Sequence, residues 1–178
     1  LEVHVVDMDP VSFAACREQG VSAELGDAIN PPQRGDEDVI CFNLILHHLV
    51  AASGAETQAL QMRAVSVWLR KSKAIFVNEY IYDSYLGDAS GWLIYQITSS
   101  QTLSVLGKAA AKFAPSLRAN TFGTGVRFRA HREWADLFDR VGFKIAAYRR
   151  GPEEHVSWAR RMLMIKSCRR DSYLLVAK

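Results

Sequence analysis

No stretch of this 178-residue sequence approaches the run of about 20 apolar residues needed to span a bilayer, so a membrane-embedded chain is not expected. Cysteine is scarce. Cys16, Cys41 and Cys168 lie far apart, are odd in number and include no CxxC pair, which leaves no basis for a zinc site or a disulfide framework. Cys41 falls in an apolar run and reads as a small core residue. A charged leader is missing as well: Leu1 to Val6 runs straight into a strand pattern, and a reducing cytoplasm is the expected compartment. Concentrated positive charge is also absent. The net charge is +3, and the pairs Arg149-Arg150, Arg160-Arg161 and Arg169-Arg170 are dispersed, as on a solvated face rather than a nucleic-acid track. No internal repeat, low-complexity segment or linker divides the chain. Residues 1–178 are therefore expected to form one domain around one core.

What is present is an alternation of buried strands and helices. Leu1 to Val6 is an apolar strand ending in Asp7-Met8-Asp9-Pro10, where Pro10 suits a first helical turn and Asp9 its cap. A helix over Val11 to Gln19 stops at Gly20, and a second short strand runs from Val21 to Leu25 up to Gly26-Asp27. After a turn-rich loop at residues 30–37, Asp38 to Leu46 is a near-continuous apolar strand and turn. Leu60, Val65, Trp68 and Leu69 recur at helical spacing over Ala55 to Lys71, and Ala74 to Val77 is the next buried strand, ending at Asn78-Glu79. This order predicts an open, mostly parallel sheet with crossover helices on both faces, an α/β doubly wound architecture. Ser84 to Leu117 breaks the rhythm with two helices. Trp134, Leu137, Phe138 and Val141 mark a last helix over Arg132 to Val141. Phe143 to Tyr148 and Ser172 to Ala177 then read as an antiparallel C-terminal strand pair.

In such sheets ligands bind beyond the carboxyl ends of the strands. Those ends carry Asp7, Asp27, Asn43 with His47 and His48, and Glu79. An acid at Asp7 can accept hydrogen bonds from both ribose hydroxyls of a nucleotide-type cofactor, and Asp27 from an adenine amino group. Turn or capping roles are the plain alternatives, and for Asp9 the capping role is preferred.

Three segments, Val5-Val6-Asp7-Met8-Asp9-Pro10, Gly26-Asp27-Ala28 and Asp38 to Leu49, taken in this order, resemble the class I, Rossmann-like, S-adenosylmethionine-dependent methyltransferases. Phe128 to Ile145, with Glu133-Trp134 and Val141-Gly142-Phe143, looks like that family's last helix and strand. The resemblance implies S-adenosylmethionine as cofactor. Asp7, with Met8 beside it, would hold the ribose, and Asp27, with Ala28, would approach the adenine. The backbone at Asn43 and Leu44 would lie near the methionine moiety. The family's first strand and glycine-rich loop would precede Leu1, so the chain is expected to be an incomplete catalytic domain. Some small-molecule O-methyltransferases place a general-base histidine where His47 falls, but follow it with an acid and a tryptophan, where this chain has His48-Leu49. Either His47 acts as the base on a phenol-like hydroxyl, or one of the pair merely lines the site. Glu79 either orients that base or contacts substrate, or else is a capping or solvated carboxylate. His131 reads as a capping or surface residue.

Residues 84–120, a helical insertion where the family places substrate-covering elements, together with Tyr80 and Tyr82, contain Tyr85, Trp92, Tyr95 and Phe113. These would form an aromatic lid over a small-molecule acceptor, or else a helical pair packed on the sheet or on another subunit of a homodimer. The resulting expectation is methyl transfer to a small molecule, at oxygen first, driven mainly by positioning. Two further readings stand beside it. One is a nicotinamide-dependent oxidoreductase, because an NAD ribose also suits Asp7. The other is a methyltransferase-like subunit that binds a partner without turnover. A phosphoacceptor receiver domain is rejected, since Phe42-Asn43-Leu44 lacks the aspartate that fold needs. No metal site is expected.

Overall fold

A computed structural model of the chain describes residues 2–32, 35, 37–117 and 121–178. The elements follow the order β1 (His4–Asp7), α1 (Pro10–Glu18), β2 (Ser22–Leu25), β3 (Val39–Asn43), α2 (Gly54–Ser66), β4 (Ala74–Ser84), α3 (Ala89–Ser99), α4 (Gln101–Phe113), α5 (His131–Val141), β5 (Phe143–Arg149), β6 (Glu153–Glu154), α6 (Trp158–Arg161) and β7 (Ile165–Ala177). Local chemistry explains the helix boundaries. Pro10 has no N–H to leave unpaired, and the Asp9 carboxylate accepts from the amides of Val11 at 3.2 Å and Ser12 at 3.1 Å. Ser53 and Glu56 close a reciprocal capping box at the start of α2. Gly142, at φ 100°, ends α5 in the left-handed conformation that glycine adopts without a Cβ penalty.

The architecture is α/β: parallel strands, flanking helices and a closing antiparallel strand pair. β1 and β2 pair in parallel, with Asp7 opposite Leu25. A larger sheet has the order β3-β4-β7-β5, with β6 also pairing on β7. There β3 and β4 are parallel, whereas β7 runs antiparallel to both β4 and β5. The parallel strands thus fall into two sheets instead of one continuous one. Two strands are also longer than the sequence pattern suggests. β4 does not end at Asn78-Glu79 but runs on to Ser84, because the 13-residue β7 stays paired with it from Leu175 opposite Ile75 to Ile165 opposite Ser84. Glu79 is therefore a mid-strand residue, not a strand end.

The main core lies between this sheet and α2 and α5. Trp134, Leu137 and Phe138 form the buried face of α5, as their spacing predicts, against Ala64 and Val65 of α2 and Ile75, Val77, Tyr173 and Leu175 of the sheet. Trp134 and Phe138 stack at 5.9 Å between centroids, and Tyr173 meets Phe138 edge-on at 5.5 Å. Each such side chain contributes about 1.5–3 kcal/mol on burial. A second cluster joins Tyr82, Ile94, Val126, Val156, Ile165 and Cys168.

Helices α3 and α4 occupy the expected insertion, of which residues 118–120 lie outside the described ones. α3 approaches the sheet closely through Gly91, where an added Cβ would sit 2.3 Å from the carbonyl oxygen of Phe128. No helix among the described residues is long and apolar enough to cross a membrane.

Candidate functional site

β3 pairs with β4 only as far as Asn43 opposite Asn78. Leu44 then turns the chain away in the left-handed region, at φ 59°, while its amide still donates to Asn78 O at 2.8 Å. A non-glycine residue held there costs on the order of 1–3 kcal/mol and persists only where its surroundings enforce it. The place beside β4 that β3 leaves is taken by residues 126–130: Ile81 bridges Arg129, and the Tyr82 amide donates to Arg129 O at 3.1 Å. A 3-10 turn, Leu46–His48, sits at this junction.

Along β4, Ile75, Val77, Glu79 and Ile81 form one fully buried row, so Glu79 is a carboxylate in an apolar line of neighbours. Both of its oxygens are used. Oε1 accepts from the Leu46 amide at 2.7 Å, and Oε2 lies 2.6 Å from Nδ1 of buried His47. The turn is pinned from other sides too. Gln61 Nε2 donates to Leu46 O at 3.0 Å, the Arg127 amide donates to His47 O at 2.8 Å, and Arg129 Nε holds Gln61 Oε1 at 2.7 Å. Arg129 in turn pairs with Glu133 at 3.2 Å. With Nδ1 committed to Glu79, the His47 Nε2 has no hydrogen-bond partner among the described residues.

His47 also lines a cavity of 580 Å³. One wall is aromatic: Phe128 stacks on His47 at 4.9 Å, Tyr80 meets His47 edge-on at 6.0 Å, and Tyr82 lies 4.2 Å from Phe128. Helices α3 and α4 close the opposite side with Ile94, Ile97, Thr98, Gly107 and Ala110. His48 reaches the same space, and its imidazole is held below the ordinary value by burial and by neighbouring His47. Cys168, in the cluster beyond Tyr82, has its thiol pushed up to about 11, chiefly by burial.

Of the residues expected to act together, His47 and Glu79 meet directly. Asp7 and Asp27 lie at the carboxyl ends of adjacent strands, away from that pair in the smaller sheet. Asp7 Oδ1 accepts from the Asp9 amide at 2.8 Å and Asp27 Oδ1 from the Ile29 amide at 3.0 Å, leaving the second oxygen of each without a described partner. Met8 is 76% exposed beside Asp7. Ala28 packs on the main core, and Asn43 Oδ1 accepts from Asn78 Nδ2 at 2.8 Å. Two acceptor-only carboxylates with free oxygens suit a ligand rich in hydroxyl and amino donors, so these residues fit the nucleoside part of S-adenosylmethionine. No group of His, Cys, Asp and Glu among the described residues is arranged to hold a metal ion.

Several expectations change. Tyr80 and Tyr82 face the cavity from β4, not from the helical insertion, whereas Trp92 is 54% and Phe113 90% exposed. The Tyr95 hydroxyl is tied to Ala51 O at 2.7 Å. His131 is not a surface cap: its Nδ1 meets the Tyr173 hydroxyl at 3.0 Å and its ring stacks on Tyr173. Nor are all the arginine pairs solvated, since Arg169 is buried between Asp83 and Asp171 and Arg160 lines the cavity. Phe128 and Arg160 carry no sequence signal of a site, because only the tertiary fold brings them to β4.

No family model and no curated protein matches the chain. Solved structures do. The mitomycin 7-O-methyltransferase MmcR superposes with a TM-score of 0.55 at 12% identity, over 100% of this chain and 42% of MmcR. The (4+2)-cyclase SpnF gives 0.58 at 12% identity, over 99% and 66%. LepI, in its complex with SAM, gives 0.53 at 9% identity, over 99% and 36%. The chain has a Rossmann-like methyltransferase fold. It spans between about a third and two thirds of the lengths of these three proteins. Because methyltransferases and cyclases share this architecture, fold alone does not assign a reaction.

Proposed function

We propose that the chain forms most of the catalytic domain of an S-adenosylmethionine-dependent methyltransferase that acts on a hydroxyl of a small molecule. The observation that carries this reading is the buried Glu79–His47 pair, which leaves Nε2 unpaired at the wall of an apolar, aromatic cavity. S-adenosylmethionine, when bound, supplies an activated methyl donor. Asp7 would accept from the ribose hydroxyls and Asp27 from the adenine amino group, with Met8 and Ala28 beside them and the Asn43–Leu44 backbone at the methionine end.

The chain's own chemistry is then a proton transfer. Glu79 accepts a hydrogen bond from the Nδ1–H of His47, which fixes the tautomer with a lone pair on Nε2. As the acceptor oxygen gains its new bond, its proton moves to Nε2, and Glu79 stabilises the imidazolium that forms. Tyr80, Tyr82 and Phe128 hold a flat acceptor body, and α3 with α4 keep water from the site. The pins on Leu46 and His47 set the imidazole in place before substrate arrives.

Calorimetric titration of S-adenosylhomocysteine into the chain and its Asp7→Ala variant tests the cofactor half. Micromolar binding weakened in the variant is expected. A folded protein that takes up no S-adenosylhomocysteine sinks the enzyme reading in favour of a partner-binding subunit. Binding without methylation of any hydroxyarene sinks methyl transfer alone.

A further inference from the structure

The cavity wall holds a guanidinium with no counter-ion among the described residues. Arg160, at the end of α6, lies over the Tyr82 ring with its carbon 5.6 Å from the centroid, and its Nη2 donates to the Tyr82 hydroxyl at 2.6 Å. Its other side-chain contact among the described residues is with the Cys168 sulfur at 3.8 Å. Both partners are neutral groups whose own ionisation is opposed by burial. No described residue accepts from its Nε or Nη1, and no described carboxylate lies within the 4.0 Å of an ion pair.

The other inward-facing arginines differ. Arg127 has Asp88 at 2.7 Å, Arg129 has Glu133 at 3.2 Å, and Arg169 has Asp83 and Asp171. Glu154 is the one acid on the cavity wall, and it pairs with Arg170 at 3.6 Å. Arg170 itself lies over the Tyr80 ring at 4.8 Å and donates to the Tyr80 hydroxyl at 2.6 Å. The one carboxylate on this wall is therefore paired with a guanidinium from outside the cavity, and Arg160 is the guanidinium that the cavity itself presents. Tyr82 fixes the plane of the Arg160 guanidinium through Nη2, leaving the Nη1 donors for a charge-assisted hydrogen bond to a carboxylate oxygen.

We infer that the acceptor is a flat, hydroxylated, largely apolar molecule bearing a carboxylate, and that Arg160 receives that carboxylate. The inference rests on the proposed function for the hydroxyl at His47. His47 packs beside Tyr80 and Arg160 beside Tyr82, and the two tyrosine rings are 6.4 Å apart. Hydroxyl and carboxylate are thus received at different points along the aromatic wall, and belong on different parts of the molecule. The tyrosines and Phe128, packed on one another, form the wall on which its body lies, and a neutral group in place of the carboxylate leaves Arg160 facing an apolar ligand.

The test uses three probes titrated into the full chain by calorimetry: a hydroxynaphthoic acid with its two groups on different rings, its methyl ester, and naphthol. The acid is expected to bind about ten- to a hundred-fold more tightly than the ester or naphthol, as hydrogen bonds to a charged group imply. In Arg160→Gln that preference disappears, and Arg160→Lys restores part of it. His47→Asn keeps it, which separates carboxylate recognition from the proton-transfer reading. Near-ultraviolet circular dichroism identical to the parent's establishes that each variant is folded. Equal binding of acid and ester, no binding of any probe, or a preference that survives Arg160→Gln overturns the inference. An acid preference without methylation under added S-adenosylmethionine removes methyl transfer and leaves the Arg160 assignment standing.

Discussion

His47 and Glu79, 32 positions apart in the chain, share a hydrogen bond of 2.6 Å between Nδ1 and Oε2, with Glu79 wholly shielded from solvent. The second oxygen of the same carboxylate accepts from the Leu46 amide. Replacing Glu79 by alanine strips two buried donors of their acceptor at once. Each unsatisfied donor costs about 1–3 kcal/mol, so Glu79→Ala is expected to lose roughly 2–5 kcal/mol in urea denaturation. A loss below about 1 kcal/mol contradicts the dual hydrogen bond.

His47→Asn separates the two halves of the proposed function. It leaves Asp7 and Asp27 untouched, so affinity for S-adenosylhomocysteine is expected to change little. The methylation rate of a bound hydroxyarene is expected to fall by about 10²–10⁴, the usual contribution of a positioned base. An unchanged rate assigns His47 to packing alone.

Gly91 and Gly54 form a matched pair. A methyl group at Gly91 meets the Phe128 backbone at 2.3 Å, whereas one at Gly54, at the start of α2, meets nothing within 4 Å. Gly91→Ala should be destabilising by about 1–3 kcal/mol as α3 is pushed off the sheet. Gly54→Ala should be neutral or stabilising by up to about 1 kcal/mol. Thermal melts of both variants check the close approach, which fails if they behave alike.

Burial, with repulsion from His47 outweighing attraction to Glu79, keeps the His48 imidazole below its ordinary 6.5. The unfolded chain takes this proton near 6.5, while the folded chain resists it, so the unfolded state binds more protons as pH drops. Stability therefore falls with decreasing pH from that value downward, until the folded form is protonated too. Denaturation midpoints measured between about pH 7.5 and about pH 5.5 should fall less steeply in His48→Asn than in the parent. Equal slopes remove His48 as a contributor.

The fold was legible because its signals are local. The alternation of apolar strands with capped helices, the periodicity of Trp134, Leu137 and Phe138, and the stop at Gly142 all act within a few residues. Strand pairing is not local, and the extension of β4 past Glu79 depends on a partner some 90 residues away. The site divides along the same line. His47 could be named from its place after β3, and Glu79 from a strand end that the structure moves on to Ser84; their contact needed β3 to turn off at Leu44. Arg160 read as one of several surface arginines, because nothing near it in sequence marks that Tyr82 holds it against a cavity.

None of residues 2–32 is fully buried, and α1 covers the β1–β2 pair without a single buried side chain. Glu79, by contrast, sits on the five-stranded sheet, with His47 in the turn packed against it. Asp7 and Asp27 thus stand on a segment with little buried surface, and its amides should exchange with deuterium before those of β4 and β7. A ligand held by these two acids would add contacts to that segment, so its amides should exchange more slowly in the complex. Substitutions that tighten α1 against β1 and β2 are accordingly a route to a more stable segment that touches neither acid nor the cavity.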